Sequence, residues 1–338
     1  RNDSTGDRLA LYRRIGDAIH RHRPLLDAYR PDRPEVALLH DPNAYNLEWA
    51  ATGDTIESVY NLKGYSKALE RARIPYSFVD SGHMDALDGI KLLIMGRPSV
   101  VPACTAERIL RFVRDGGTLL IEGNADAFTP LGFYQYTGED RPFASALDID
   151  YGPERAISEH GPYYQLPEPG TAQPEDKIRE EIILKCFGRE YEVFAEGSIT
   201  PIITASDDEI LARDSRGNTF ATSKRIGKGT LLALAGFLGK GYHRADNEGL
   251  ERFLHDLACQ AGVAKSIAVQ GGDVYWHTGM ADKRRLLFLI NAGWQADVTV
   301  TFNKELLPVS PSAEELMDGA ECVVKDCGDT WQMEQEIE

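Results

Sequence analysis

Residues 106–124 read Ala106-Glu-Arg-Ile-Leu-Arg-Phe-Val-Arg-Asp-Gly-Gly-Thr-Leu-Leu-Ile-Glu-Gly-Asn124. The first ten predict a helix from Ala106 to Asp115; Gly116-Gly117 stops it, and Thr118-Leu-Leu-Ile121 follows at once as an apolar strand. Upstream, short apolar runs alternate with helical stretches: Val36-Ala-Leu-Leu39, a helix near Thr55 to Arg73, Tyr76-Ser-Phe-Val79 and Lys91-Leu-Leu-Ile-Met95. That order predicts an α/β domain with a doubly wound, mostly parallel sheet, because near-continuous Val, Ile and Leu suits strands covered on both faces.

Downstream the parallel architecture is expected to resume with Ile199 to Thr204, Glu209 to Ala212, Phe220 to Ser223 and Thr230 to Ala235, with a turn at Asp214 to Asn218 and a hairpin turn between two strands at Gly227-Lys-Gly229. A closing helix, Glu248 to Ala261, shows Leu250, Phe253, Leu254 and Leu257 on one face. Between about Phe128 and Glu196 the periodicity fades into Pro-, Gly- and Tyr-rich sequence such as Gly161-Pro-Tyr-Tyr164, which reads as an insertion of the kind that carries a functional or interface surface.

At the N-terminal end Tyr12, Ile15, Ile19, His22, Leu26 and Tyr29 recur at helical steps, a stripe that needs something to pack against, with Pro24 kinking or restarting the helix. After Val263 the runs Asp273 to His277, Arg285 to Asn291, Asp297 to Phe302, Cys322 to Lys325 and Thr330 to Glu336 predict a small antiparallel β-sandwich. The expected organisation is a helical connector over 1–33, an α/β domain over 34–263 with an insertion at about 128–196, and a sandwich over 264–338.

The bulk numbers fit two domains in 338 residues. A net charge of −16 disfavours nucleic acid and anionic lipid surfaces as partners. Cys104, Cys186, Cys259, Cys322 and Cys327 are odd in number, with no C-x-x-C and no zinc spacing, so a reducing compartment, the cytoplasm, is expected and no metal site is indicated. The longest apolar run, Leu231 to Leu238, is far short of the ~20 residues that cross a bilayer. The opening at Arg1 without methionine suggests a cut or processed piece.

Doubly wound sheets bind ligands beyond the carboxyl ends of their strands, which singles out His40, Asp41, Asp80, His83, Gly96, Arg97, Glu122 and Asn124. His40-Asp41 has the chemistry of a base and its orienting carboxylate, but strand neighbours point to opposite faces. A nucleophile elbow is expected after Thr118 to Ile121, and Glu122-Gly-Asn124 stands there instead. Cys104, before the helix, is the remaining nucleophile candidate, although a small buried or capping residue is the simpler reading. Phe133, Tyr134, Tyr136, Tyr163 and Tyr164 offer aromatic faces for sugar rings or for another protomer.

Taken in order, Val36-Ala-Leu-Leu-His-Asp41, Tyr65-Ser-Lys-Ala-Leu69, Ile74-Pro-Tyr-Ser-Phe-Val79, Leu92-Leu-Ile-Met95, the Ala106 to Leu120 run and Arg225-Ile-Gly-Lys-Gly229 resemble the trimerisation domain of family 42 glycoside hydrolases, the β-galactosidase type. The resemblance covers roughly residues 34–263. It implies a flavodoxin-like, class I amidotransferase-like fold without amidotransferase activity, assembly into a homotrimer, an adjoining (β/α)8 catalytic barrel in the same or another chain, and a small closing β domain. Both catalytic glutamates of that family belong to the barrel, so the resemblance implies no catalytic residue and no cofactor here. The 128–196 excursion departs from the family's pattern. Two other readings stand beside it: an active amidotransferase-like hydrolase using Cys104, His83 or Glu122, and a stand-alone carbohydrate-binding protein.

Overall fold

The computed structural model describes residues 5–83, 87–135, 140–157, 179–204, 210–291, 293, 296–307, 311–317 and 319–337. Thr118–Glu122 is buried at every position and pairs in parallel with Leu92–Met95 on one side and Gly229–Leu234 on the other. Beyond Leu92–Met95 come Val36–His40 and then the edge strand Tyr76–Asp80, both parallel. Leu38, Leu93, Ile94, Leu119, Leu120 and Leu232 fill the layers on either side, so the runs that read as two-faced strands are two-faced strands.

The other half of this sheet, which has nine strands among the described residues, corrects the expectation of parallel strands. Thr219–Ile226 runs antiparallel to Gly229–Leu234, while Ile202–Thr204 and Ile210–Arg213 run antiparallel to Thr219–Ile226, and Ile149–Tyr151 closes the edge, also antiparallel. The cause is the turn itself: two residues, Gly227 and Lys228, join two strands, whereas a parallel crossover needs a dozen or more. The sheet as a whole remains α/β and mostly parallel at its centre.

The 128–196 excursion also holds structure that its composition concealed. Pro142–Leu147 is a short helix, and Arg179–Cys186 and Arg189–Ile199 form an antiparallel hairpin. Its turn, Phe187-Gly188, has φ of 54° and 70°, the doubly left-handed geometry that matches strand twist. Ile182, Leu184, Tyr191, Val193 and Ala195 are buried in the main core, where Phe253 and Leu257 of the Glu248–Gln260 helix meet them. That helix is capped by Asn247, whose Oδ1 accepts the Leu250 N–H at 2.9 Å. Asn247→Ala is expected to lower stability by about 1 kcal/mol, measurable by urea denaturation.

Two helices not anticipated from the sequence complete this layer: Pro42–Thr52, capped by Asp41, and Leu238–Arg244. Leu238–Arg244 lies against Ile56–Arg71 with almost no space between the backbones. A Cβ at Gly64 would sit 1.6 Å from the Gly239 carbonyl oxygen, and one at Gly239 would sit 2.3 Å from the Asn61 carbonyl oxygen.

The chain divides into two compact units, Pro34–Val263 and a second made of Arg1–Arg33 with Ala264–Glu338. In the second unit Thr5–Arg21 and Arg23–Asp27 are helices broken at His22, with Pro24 inside the first turn of the second, where its missing N–H costs nothing. The strand Tyr29–Pro31 pairs antiparallel with residues 279–281 of Val274–Ala281, which pairs in turn with Arg284–Asn291. A second antiparallel sheet joins Ile267–Gln270, Ala296–Asn303, Thr330–Ile337 and Val324–Asp326. Val274 and Trp276 from one sheet and Val298, Val300, Trp331 and Met333 from the other make the shared core, and Trp331 Nε1 donates to the Leu307 carbonyl at 2.7 Å.

Candidate functional site

The parallel strands end at His40, Asp80, Met95, Glu122 and Leu234, and the candidate residues sort there into separate groups. His40 and Asp80 are register partners at the outer end, with His40 Nδ1 3.4 Å from Asp80 Oδ2 and His83 Nδ1 3.5 Å from Asp80 Oδ1. All three side chains face solvent. The Gly82 N–H, 2.8 Å from Asp80 Oδ1, holds that carboxyl below the usual range, with His40 and His83 adding to it.

Asp41 does not orient His40. It is buried, it caps Pro42–Thr52 through the Asn43 N–H at 3.2 Å, and it accepts from Ser81 Oγ at 3.1 Å. Burial raises its pKa despite these donors.

Glu122 ends the central strand and is fully enclosed. Its oxygens accept from Tyr65 Oη at 2.5 Å, Asn61 Nδ2 at 2.7 Å and the Leu238 N–H at 2.7 Å, with the Gly239 N–H nearby as a further donor. Desolvation outweighs all of these and lifts the carboxyl from its ordinary 4.5 to about 7. Asn61 Oδ1 accepts the Lys240 N–H at 2.8 Å, so Glu122 and Asn61 together satisfy the first N–H groups of Leu238–Arg244. Gly96 stays bare because a Cβ there would lie 2.6 Å from Asn61 Nδ2.

Next to this core runs a row of alternating charges. Glu48 accepts from the Glu57 and Ser58 N–H groups at 2.8 and 3.0 Å and from the Ser58 hydroxyl, which anchors the start of Ile56–Arg71. Arg97 lies 4.0 Å from Glu48 and 3.7 Å from Glu57, over the Phe237 ring at 5.3 Å, with a left-handed φ of 58°. Lys240, whose side chain is only 3% exposed, donates to both Glu57 oxygens at 2.7 and 2.6 Å and lies 3.5 Å from Glu196, which Arg244 grips at 2.6 and 3.0 Å. Among the described residues three carboxylates meet three cations along this row, each facing at least one charge of the opposite sign.

Asn124 belongs to a third group. Arg141 donates to Asn124 Oδ1 and the Ala125 carbonyl and lies 3.3 Å from Asp126, while its guanidinium covers the Tyr151 ring at 4.4 Å. Asp126 accepts the Phe143 N–H at 2.7 Å, and burial lifts its carboxyl to about 6. Asn124 Nδ2 also reaches Tyr134 Oη at 3.4 Å. Phe133 and Tyr134 are 68% and 38% exposed, a usable aromatic surface; Tyr136, Tyr163 and Tyr164 lie outside the described residues. Cys104 is exposed in the first turn of Ala103–Asp115.

The structure therefore brings Arg97 and Glu122 into one neighbourhood and leaves His40 and His83 on an open rim. Glu48, Glu57, Glu196, Lys240 and Arg244 gave no sign of a site in the sequence pattern. Asn61 and Tyr65 left one legible trace, a pair of polar side chains four apart on a helix face.

Among the described residues no group of His, Cys, Asp and Glu is arranged to hold a metal ion, and no helix is long and apolar enough to cross a membrane. No family model and no curated protein matches the sequence. Solved structures do match. A catalytic mutant of a GH42 β-galactosidase from G. stearothermophilus aligns at 19% identity and TM-score 0.64 over 91% of this chain and 41% of its own. The β-galactosidase from Bacillus circulans sp. alkalophilus gives 18%, 0.66, 91% and 42%, and that of the Antarctic haloarchaeon Halorubrum lacusprofundi gives 12%, 0.54, 90% and 40%. The chain spans about two-fifths of the length of these relatives in structure, and over that length it has the fold found in GH42 β-galactosidases.

Proposed function

We propose that this chain is the assembly portion of a β-galactosidase-like glycoside hydrolase. It packs protomers into a homotrimer and walls the active site of a (β/α)8 barrel, in the same or another chain, that cleaves the glycosidic bond. The observation that carries the reading is the fold match over nine-tenths of this chain and two-fifths of several β-galactosidases. The chemistry at the strand ends supports it. Glycoside hydrolysis needs two reachable carboxylates roughly 5–9.5 Å apart across a bound sugar. Glu122 has no exposed surface, and Glu48, Glu57 and Glu196 are occupied by internal donors. What is offered outward at this end is surface: Phe133, Tyr134 and the His40–Asp80–His83 rim, suited to contact with another protomer or with carbohydrate. Five unpaired thiols favour a cytoplasmic setting.

Light scattering on the purified chain at micromolar concentration is expected to give about three times 37.5 kDa; a monomer there rejects the assembly role. Release of nitrophenol from a nitrophenyl β-galactoside by this chain alone would falsify the non-catalytic part.

A further inference from the structure

The last turns of the helix Glu248–Gln260 bring a thiol, an imidazole and a carboxylate together, outside the strand-end groups. Cys259 Sγ lies 4.0 Å from both ring nitrogens of His255, one turn back, and His255 Nδ1 lies 3.1 Å from Asp256 Oδ1. Asp256 is fixed from the neighbouring hairpin, where Tyr191 Oη donates to its Oδ2 at 2.7 Å and Arg189 Nη1 at 2.9 Å. Against the pull of burial, hydrogen bonds from Tyr191 and His255 and the Arg189 charge hold this carboxyl below the usual range. An ionised Asp256 accepts from Nδ1–H, which leaves Nε2 as the basic nitrogen of the ring. Nucleophile, base and orienting carboxylate thus stand in sequence.

The other four thiols lack these neighbours. Burial, with Asp256 adding to it, pushes the Cys186 thiol up to about 12, and burial raises that of Cys322 as well. Cys104 and Cys327 are exposed, and among the described residues neither has a hydrogen bond to an imidazole. Cys259 is partly exposed and the His255 side chain is 46% exposed, so an incoming molecule can reach both. The C-terminal end of a helix disfavours a lone thiolate, but it favours an imidazolium in the same field. Proton transfer from Sγ to His255 is therefore close to neutral with respect to the helix dipole.

We propose that Cys259 is a modification site that exchanges with small amine-bearing disulfides, with His255 taking its proton and Asp256 positioning the ring. The Cys259 thiolate attacks one sulfur of the incoming disulfide. A new S–S bond forms to Sγ, the old one breaks, and the departing thiolate takes the proton held on His255. The incoming disulfide is the oxidant: Cys259 is oxidised, and half of the disulfide leaves reduced. The charge of the partner follows from the surroundings. A cavity of about 440 Å³ is lined by Arg252, one turn before His255, and by Glu190, Glu192 and Glu248, in a chain of net charge −16. Carboxylates in that excess draw a cationic partner in and keep an anionic one away.

The test is the initial rate of labelling by cystamine at each cysteine of the 338-residue chain, resolved by peptide mass mapping. Cys259 is expected to react about tenfold faster than Cys104 and Cys327. His255→Gln should remove that lead, together with the ultraviolet thiolate absorbance that Cys259→Ser also removes. Asp256→Asn should take away part of both. Cys186, unlabelled throughout, reports that each variant is folded; should Asp256→Asn unfold, His255→Gln decides alone. Dithiodipropionate, an acidic disulfide, should narrow the lead of Cys259 over the two exposed thiols. A rate at Cys259 no greater than at Cys104 and Cys327, or a lead that survives His255→Gln, overturns the site. A lead equally large with dithiodipropionate overturns the amine-bearing class.

Discussion

Gly64→Ala should lower the stability of the Pro34–Val263 unit by about 4 kcal/mol, a fall of about 10 °C in the midpoint of thermal unfolding followed by circular dichroism. The new methyl would occupy the position of the Gly239 carbonyl oxygen, 1.6 Å away, and backbone cannot swing aside as a side chain can. Relief requires Leu238–Arg244 to lift off Ile56–Arg71. That movement also withdraws the Leu238 N–H from Glu122 and the Lys240 N–H from Asn61. Gly53→Ala is the control: φ is 76° with open space around it, so only the left-handed strain of about 1 kcal/mol is expected. Equal losses in the two variants would mean the helices are not in backbone contact.

Glu122→Gln should flatten the dependence of stability on pH. In the folded chain the carboxyl titrates near 7 and in the unfolded chain near its ordinary 4.5. Between those values the folded state holds a proton that the unfolded state has released, so stability falls as pH rises through the window and levels off above it. The fall from this group is on the order of 3 kcal/mol. Asp126, lifted to about 6 from 3.8, pulls the same way over a lower window, while Asp214, held low by Arg155, works in the opposite sense only in stronger acid. Glutamine removes the titration but sets an amide N–H against the Tyr65, Asn61 or Leu238 donors, at about 1–3 kcal/mol. The variant should therefore be the less stable protein at pH 5 and converge with the wild type by pH 8. Urea midpoints at the two pH values measure this, and parallel slopes would dismiss Glu122 as the source.

The central strands were legible because Val36–His40, Leu92–Met95 and Thr118–Glu122 are buried on both faces, and such strands write their burial as unbroken apolar runs. Leu238–Arg244 was not, since Leu-Gly-Lys-Gly-Tyr-His-Arg has the composition of a loop. Its helical state is imposed by Gly64 and Glu122, both more than 110 residues away. The second arm of the Arg179–Ile199 hairpin alternates, with Tyr191, Val193 and Ala195 buried and Glu190 and Glu192 exposed, but the Ile182-Ile-Leu184 run in the first arm and the Pro- and Tyr-rich sequence before it masked the pattern. Among the site residues, Arg97 and Glu122 could be found because they close strands. Glu57, Lys240 and Glu196 could not, because a charged residue on a helix or hairpin reads as solvated until its partner is known, and the Lys240–Glu57 pair spans 183 positions.

The pairing of Tyr29–Pro31 with residues 279–281 bears on how the polypeptide matures on the ribosome. At roughly 5–20 residues per second, a further ~12–50 s of translation separates the emergence of the first strand from that of its mate. Pro34–Val263 is a compact unit of its own and is free to close during that delay. The segment that carries Tyr29–Pro31 has to wait until residues 279–281 have been made. Stalling synthesis just before Ala264 should leave it sensitive to protease and open to chaperones, while the α/β unit is already protected.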